Sequence, residues 1–401
     1  MKRFEIKFGL TGVAVGCLAV CFGSAQVLAE APSAEEMWDK IQELEEKVET
    51  TGDMIEESGS GGGDGVLWGG YGELHYNAGD KQQIDVHRFV LFTEYEFNDK
   101  LRFQSEFELE HALAGDGQPG EVELEQAFIE WQNSPTNALY AGVALVPVGM
   151  LNETHEPPTF FGVERDRVHV EIIPTTWWEA GVGSRGELSE GLGYDLFLHS
   201  GLEVPVTGGS AFRIRSGRQK VAEAVANKPA ITGRLRYNGM PGLNLTAAVQ
   251  YQHDLTQGQA EPNTDTDFDT SAYLYNLTAD YRKGPIGVKA MYARWDMDGG
   301  TTGVGAASFG RDEQWGYLLE PSYRFAVPGV DGDGTLGVFA RYYAFDSTAG
   351  DSTGSEEDGF TVGFNYWIHP NVVLKADYDE VTIEGSTADD DRLNLGIGWQ
   401  F

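Results

Sequence analysis

Between Val66 and Phe401 the chain divides into sixteen strand-like segments whose connections alternate in length, a rhythm that few folds other than a closed barrel accommodate. The even-numbered segments end in tight connections: Asn98-Asp99-Lys100, Asn133 to Asn137, Ser189-Glu190-Gly191, Asn238 to Gly242, Lys283-Gly284-Pro285 and Ile368 to Asn371, with Ala326 to Gly334 somewhat longer. The intervening connections are mostly longer, notably Pro147 to Pro174, Glu203 to Lys228, Leu255 to Thr270, Met297 to Asp312 and Ser347 to Asp358. An even strand number with short turns at one end and long loops at the other is the pattern of bacterial transmembrane barrels.

The side-chain period points the same way. In Leu101 to Leu113 the residues Leu101, Phe103, Phe107 and Leu109 share one face, and Arg102, Gln104, Glu106, Glu108 and Glu110 share the other. A charged row on one face of a membrane strand must point into water, so the lumen is expected to be wet, and sixteen strands leave room for an aqueous channel. Outside the first 29 residues no apolar stretch reaches about 18 residues, which excludes a membrane helix. Only a closed sheet then satisfies every backbone group in lipid. Phe97, Trp131, Tyr237, Tyr281, Phe325, Trp367 and Phe401 fall where seven of the eight descending strands reach the short-turn side, as an interfacial girdle would. The segment Val122 to Trp131 breaks the period, and its faces stay unassigned.

The two ends add context. Lys2, Arg3 and Lys7, the apolar run Gly9 to Gly23 and the small residues before Ala29 read as a signal peptide over 1–29. Cys17 and Cys21, the chain's two cysteines, both lie within it, so neither a disulfide framework nor thiolate chemistry is expected. Met37, Ile41, Leu44, Val48, Thr51 and Ile55 recur at four- and three-residue steps, a short coiled-coil seam within 30–58 that needs partner helices. A glycine-rich linker follows at 59–65, and the barrel occupies 66–401. The last strand alternates Leu393, Leu395, Ile397, Trp399 and Phe401 with small or polar residues. Its aromatic end at Phe401 resembles the signal that outer-membrane barrels present to the barrel assembly machinery. The expected architecture is all-β: a 16-stranded antiparallel transmembrane β-barrel with a short N-terminal coiled-coil helix.

A formal net charge of −35 repels nucleic acid and excludes it as a partner. Against that background Arg213, Arg215, Arg218 and Lys220 form the densest basic cluster, suited to an anion funnel or to pairing with acidic loops. The connection Pro147 to Pro174 holds two adjacent prolines with Glu153, His155, Glu156 and Arg165, which reads as a stiff constriction segment or as a surface loop packed on a neighbouring subunit. Projecting each strand's alternation assigns Glu106, Glu108 and Glu110 to an acidic wall and Arg234, Arg236, Arg341 and Lys375 to a basic one across the lumen. His155 between two glutamates is the one suggestive metal ligand, but no spacing resembles a dedicated site, and no metal or other cofactor is expected. His253-Asp254 is the one suggestive catalytic pair, and neighbours along a strand face opposite ways, so no catalysis is expected.

Six stretches carry a family resemblance: Gly70 to Tyr76, Asp85 to Val90, Gly120 to Ala127, Val146 to Glu164, Ile173 to Glu179 and Arg213 to Lys220. They are similar to the phosphate-selective porin O and P family and its relatives, and Ala34 to Trp38 fits members with an amino-terminal coiled coil. The resemblance extends over essentially the whole barrel. It implies a homotrimer in the outer membrane of a Gram-negative bacterium, with a loop folded inward as a constriction. It also implies a porin: a water-filled channel for passive diffusion of small hydrophilic solutes and ions, anions such as phosphate among them. A sugar-specific channel and an outer-membrane barrel enzyme are the competing readings.

Overall fold

Alternating side chains and two-residue turns bring sixteen antiparallel strands into one closed meander, each strand paired to its sequence neighbours. The computed structural model describes residues 65–79, 81–330, 332–351, 355–385 and 391–401; the expected signal peptide, the coiled-coil helix and the linker up to residue 64 lie outside them. The first half of the barrel runs β1 (Val66–Ala78), β2 (Gln82–Asn98), β3 (Leu101–Glu110), β4 (Val122–Ser134), β5 (Asn137–Leu145), β6 (Trp178–Ser189), β7 (Leu192–His199) and β8 (Ala230–Met240). The second half runs β9 (Leu243–Gln252), β10 (Ala272–Lys283), β11 (Ile286–Met297), β12 (Glu313–Val327), β13 (Gly334–Asp346), β14 (Glu357–His369), β15 (Val372–Ile383) and β16 (Arg392–Gln400). Pairing of β16 with β1 closes the cylinder, and Gly70 and Phe401 exchange two backbone hydrogen bonds of 2.9 Å at the seam.

On β10 the period of two is plain. Tyr273, Tyr275 and Leu277 are 42–56% exposed on the outer face, while Ala272, Leu274 and Asn276 are buried inward. The outward set is the belt that lipid covers. Phe97, Trp131, Tyr237, Phe325 and Phe401 also face outward, as expected of a girdle. Trp367 does not. A β-bulge between Trp367 and His369 accompanies an inward-turned indole, 5.5 Å from the Phe161 ring and donating to the Pro158 carbonyl at 3.0 Å.

Two further expectations shift for local reasons. The β3 strand stops at Glu110 rather than Leu113, because His111 adopts a positive φ of 57°. The first long-side connection, 79–81, is as tight as those at the opposite end. The unassigned faces of β4 also find their cause. Glu106 pairs with Gln126 but the next residue, Phe107, pairs with Leu124, which leaves Glu125 as an extra residue in a bulge. Glu123 points inward before the bulge, Glu125 within it, and Phe128 and Glu130 after it, while Val122, Leu124, Ile129 and Trp131 face out.

Loop 3 (146–177) and loop 4 (200–229) fold into the lumen and share an apolar core with the inner faces of β10 to β13. Val168, Ile172, Ile173 and Trp177 of loop 3 and Phe212 and Ile214 of loop 4 are fully buried there against Leu274, Trp295 and Tyr343. Each such side chain contributes about 1.5–3 kcal/mol relative to exposure. Loop 3 carries one helical turn, α1 (Arg167–Glu171), capped by Asp166, whose carboxylate accepts from the His169 backbone N–H at 3.0 Å and contacts its imidazole at 2.6 Å.

Candidate functional site

Loop 3 begins where β5 runs out of ladder. There Asn152 replaces the missing pairing: its amide donates to the Val146 and Trp177 carbonyls at 2.8 Å, and its oxygen accepts from Trp177 N–H at 2.7 Å. The loop then crosses the lumen. Gly149 N–H donates to Asn276 on β10, and Glu153 pairs with Arg234 on β8. The His155 carbonyl accepts from Arg88 on β2 at 2.8 Å. Farther along, Arg341 on β13 donates to the Phe161 carbonyl at 2.8 Å, and Asp377 on β15 accepts from Val163 N–H at 2.6 Å. Glycines on the wall let the loop come close: a Cβ added at Gly398 would lie 2.3 Å from Pro157, and one at Gly316 would lie 2.7 Å from Val168. Residues 146–164, which include Glu153, His155 and Glu156 of the expected constriction segment, thus contact β2, β8, β10, β13, β15 and β16, and Arg165 follows directly.

Beside this loop lies a cavity of about 230 Å³ lined by groups of both charges. Glu108 and Glu110 from β3, Glu123 from β4 and Glu164 from loop 3 supply four carboxylates; Arg165 from loop 3 and Arg215, Arg218 and Lys220 from loop 4 supply four cations. The basic cluster therefore turns inward. Its guanidinium groups are held by carbonyls of loop 3: Arg215 donates to Val170 at 2.7 Å, and Arg218 to Thr176 at 2.5 Å. Arg213 stands apart on Glu171, while Lys220 reaches Glu121 and Glu123.

Crowding has an electrostatic signature in these loops. Burial and the neighbouring Arg218 bring Arg215 down to about 10, and burial with Arg165 nearby lowers Arg218. Burial likewise lowers Arg165, with Arg88 adding repulsion. The Arg165 and Arg218 Nε atoms are buried without a hydrogen-bond partner among the described residues. Lys220 moves the other way. Burial opposes its charge, but hydrogen bonds to Glu121 and Glu123 hold the ammonium above the usual lysine value.

Glu106 is buried and does not line this cavity; it lies against His155 instead. The strand-borne cations do not form the expected basic wall. Arg234 and Arg236 share Asp195 on β7 at 2.8 Å, and Arg341 holds Glu320 on β12 at 2.8 Å. Lys375 lies over the Phe160 ring, its ammonium 3.6 Å from the centroid. Cross-strand register explains the neutralisation, because Asp195 sits directly opposite Arg234 in the ladder. The basic side of the field comes from loops 3 and 4 instead. His155 has neither Glu153 nor Glu156 as partner; Glu106 and Glu125 face it, both at 3.5 Å. Glu123, Glu125, Glu164, Asp195 and Glu320 are functional neighbours that sequence reasoning did not single out, and the broken period of β4 was the one available signal for Glu125. His253 and Asp254 lie just beyond the end of β9 at Gln252 rather than in a strand; His253 is exposed and Asp254 is buried, accepting from Thr256 and Gly258.

Against known proteins, residues 227–401 match the family described as phosphate-selective porin O and P. The matched segment lies beyond the six stretches that suggested the same family. An uncharacterized protein of Aquifex aeolicus (strain VF5) is 32% identical over 354 residues, covering 84% of this chain and 80% of that one. Among solved structures, the anion-selective porin from Comamonas acidovorans superposes with a TM-score of 0.55 at 13% identity, covering 84% of this chain and 99% of that one. The trimer form of OmpT, an outer membrane protein of Vibrio cholerae, gives 0.55 at 11% identity with the same coverage. These likenesses agree with the closed sixteen-strand meander. The chain belongs to the phosphate-selective porin O and P family and forms a channel for small solutes in the Gram-negative outer membrane.

Proposed function

We propose that this channel is a general diffusion pore whose eyelet sorts solutes by how their charge is distributed, with an anion-attracting station at Arg165, Arg215 and Arg218. The observation that carries the reading is the lining of this cavity, which gathers four carboxylates and four cations from β3, β4 and loops 3 and 4. Equal numbers of carboxylates and cations leave little net charge in this cavity, so neither sign of ion is strongly excluded. They do impose a local field that orders water and favours polar over apolar solutes. Guanidinium groups suit bidentate contact with carboxylate or phosphate, and two of the three have an unpartnered Nε. No covalent step is assigned to the protein in this reading.

A phosphate-selective channel is the second reading, favoured by that same trio. A homotrimer is supported by the trimer form of the Vibrio cholerae neighbour. The purified protein in a planar bilayer under a potassium chloride gradient separates the two solute readings. A reversal potential near zero, with current unaffected by phosphate, supports the general pore. A clearly anion-selective current blocked by phosphate transfers the assignment to the second reading.

A further inference from the structure

Three side chains from different parts of the fold meet behind loop 3: Glu106 of β3, Glu125 in the β4 bulge and His155 of the loop. All are buried, with 2%, 0% and 3% exposure. The His155 Nε2 lies 3.5 Å from Glu106 Oε1 and 3.5 Å from Glu125 Oε2, too far for good hydrogen bonds. Among the described residues, neither oxygen of Glu125 nor Nε2 of His155 has a hydrogen-bond partner of acceptable geometry. Two buried carboxylates and an imidazole left so are costly as an ungrouped set.

The separations have a ready interpretation. Donor atoms bound tetrahedrally to a divalent cation at about 2.0–2.2 Å stand roughly 3.3–3.6 Å apart. The other imidazole nitrogen, Nδ1, contacts the Asn152 carbonyl at 3.1 Å, the outer contact that fixes a tautomer with Nε2 free to ligate. Gln126 donates to Glu106 Oε2 at 2.7 Å and leaves Oε1 facing the histidine. We propose that His155, Glu106 and Glu125 bind one divalent cation of the zinc or manganese class, with a fourth position left to solvent or a neighbouring group. Mixed imidazole and carboxylate donors suit borderline and hard divalent ions. Bound there, the cation would clip the middle of loop 3 to the β3–β4 wall.

A second histidine cluster lacks this geometry. His75 has both ring nitrogens engaged, with Glu164 at 2.9 Å and Glu73 at 3.1 Å. Its ring is stacked on His87 at 14°, so the two lone-pair directions do not converge.

The test is equilibrium dialysis of chelator-stripped full-length protein against Zn²⁺, with bound metal read by plasma mass spectrometry. Heat-modifiable gel mobility reports that the barrel is folded. The expected result is one tightly held equivalent in the wild type, lost in folded Glu125→Gln and in folded His155→Gln, and retained in His75→Gln. Co²⁺ in place of Zn²⁺ should give a ligand-field band that Glu125→Gln abolishes. Wild-type protein that binds no Zn²⁺, or a folded Glu125→Gln that keeps its equivalent, overturns the site. Loss in His75→Gln alone overturns it in favour of the other cluster. If neither glutamine variant folds, the Co²⁺ spectrum of the wild type decides: no band sinks the proposal.

Discussion

The wall formed by β10 to β13 and the wall formed by β2 to β4 face each other across the same lumen with opposite solutions to holding a loop. The first offers apolar seats, with Leu274, Met291, Trp295 and Leu318 turned inward under α1 and loop 4. The second offers carboxylates, with Glu106, Glu108, Glu123 and Glu125 turned inward on two adjacent strands. Apolar burial is non-directional and holds a loop at one depth. A row of like charges cannot hold anything unless cations meet it, and loops 3 and 4 bring those cations in. The comparison teaches that position and selectivity come from different sides of the pore.

The strongest way to break that division is Trp295→Ala. Its ring is fully buried and its indole donates to the Ile172 carbonyl at 2.9 Å. Truncation should cost about 3–5 kcal/mol locally. Faster protease cleavage within loop 3 and a rise in single-channel conductance are expected; unchanged conductance would place the anchor elsewhere. Next in size is Gly398→Ala, whose added Cβ would lie 2.3 Å from Pro157. Overpacking of this kind costs about 1–3 kcal/mol. It should shift loop 3 without touching the eyelet charges, so conductance should move while the reversal potential stays.

Acid gives a comparable effect at α1. Burial opposes the Asp166 charge, but His169 beside it holds the carboxyl down at about 2. A depressed carboxylate contributes stability above its unfolded value of about 3.9, and that contribution is lost as pH falls toward 2. On the order of 2 kcal/mol of loop stability should therefore vanish between about pH 4 and pH 2. Asp166→Asn should lack this acid step in protection of the α1 amides from hydrogen exchange. The smallest structural effect belongs to the acidic wall. Glu108→Gln with Glu110→Gln should leave the folded gel mobility unchanged and move the reversal potential toward anions, while Arg215→Gln with Lys220→Gln should move it toward cations. Shifts of the same sign in both pairs would contradict a lining shared by both charges.

Much of this was legible in the residues. Turn chemistry marked the short-side connections, and the period of two in Leu101 to Glu110 revealed which side faced water. The proline-rich run around Pro157 announced the inward loop. What stayed hidden were relations between distant positions. Asp195 neutralises Arg234 because the ladder sets them opposite, and nothing in either strand alone says so. The Glu125 bulge erased the local period, so a strand supplying a fully buried carboxylate was the one that could not be read. Trp367 carries the right residue type for a girdle, yet Arg324, 4.3 Å from its ring centroid, and the Phe161 ring supply a partner set inside the lumen.

Loop 3 has a mechanical consequence as well. A sheet rolled into a cylinder is stiff along its hydrogen-bonded ladders but easily squeezed from round to oval, since that needs only small changes at many strand junctions. The same loop is tied to Arg88 on one side and to Arg234, Arg341 and Asp377 on others, so it acts as an internal strut across the diameter. Lateral pressure from a crowded bilayer would then be carried by close-packed atoms with low compressibility, and the cross-section open to solutes would hold steady as membrane tension varies.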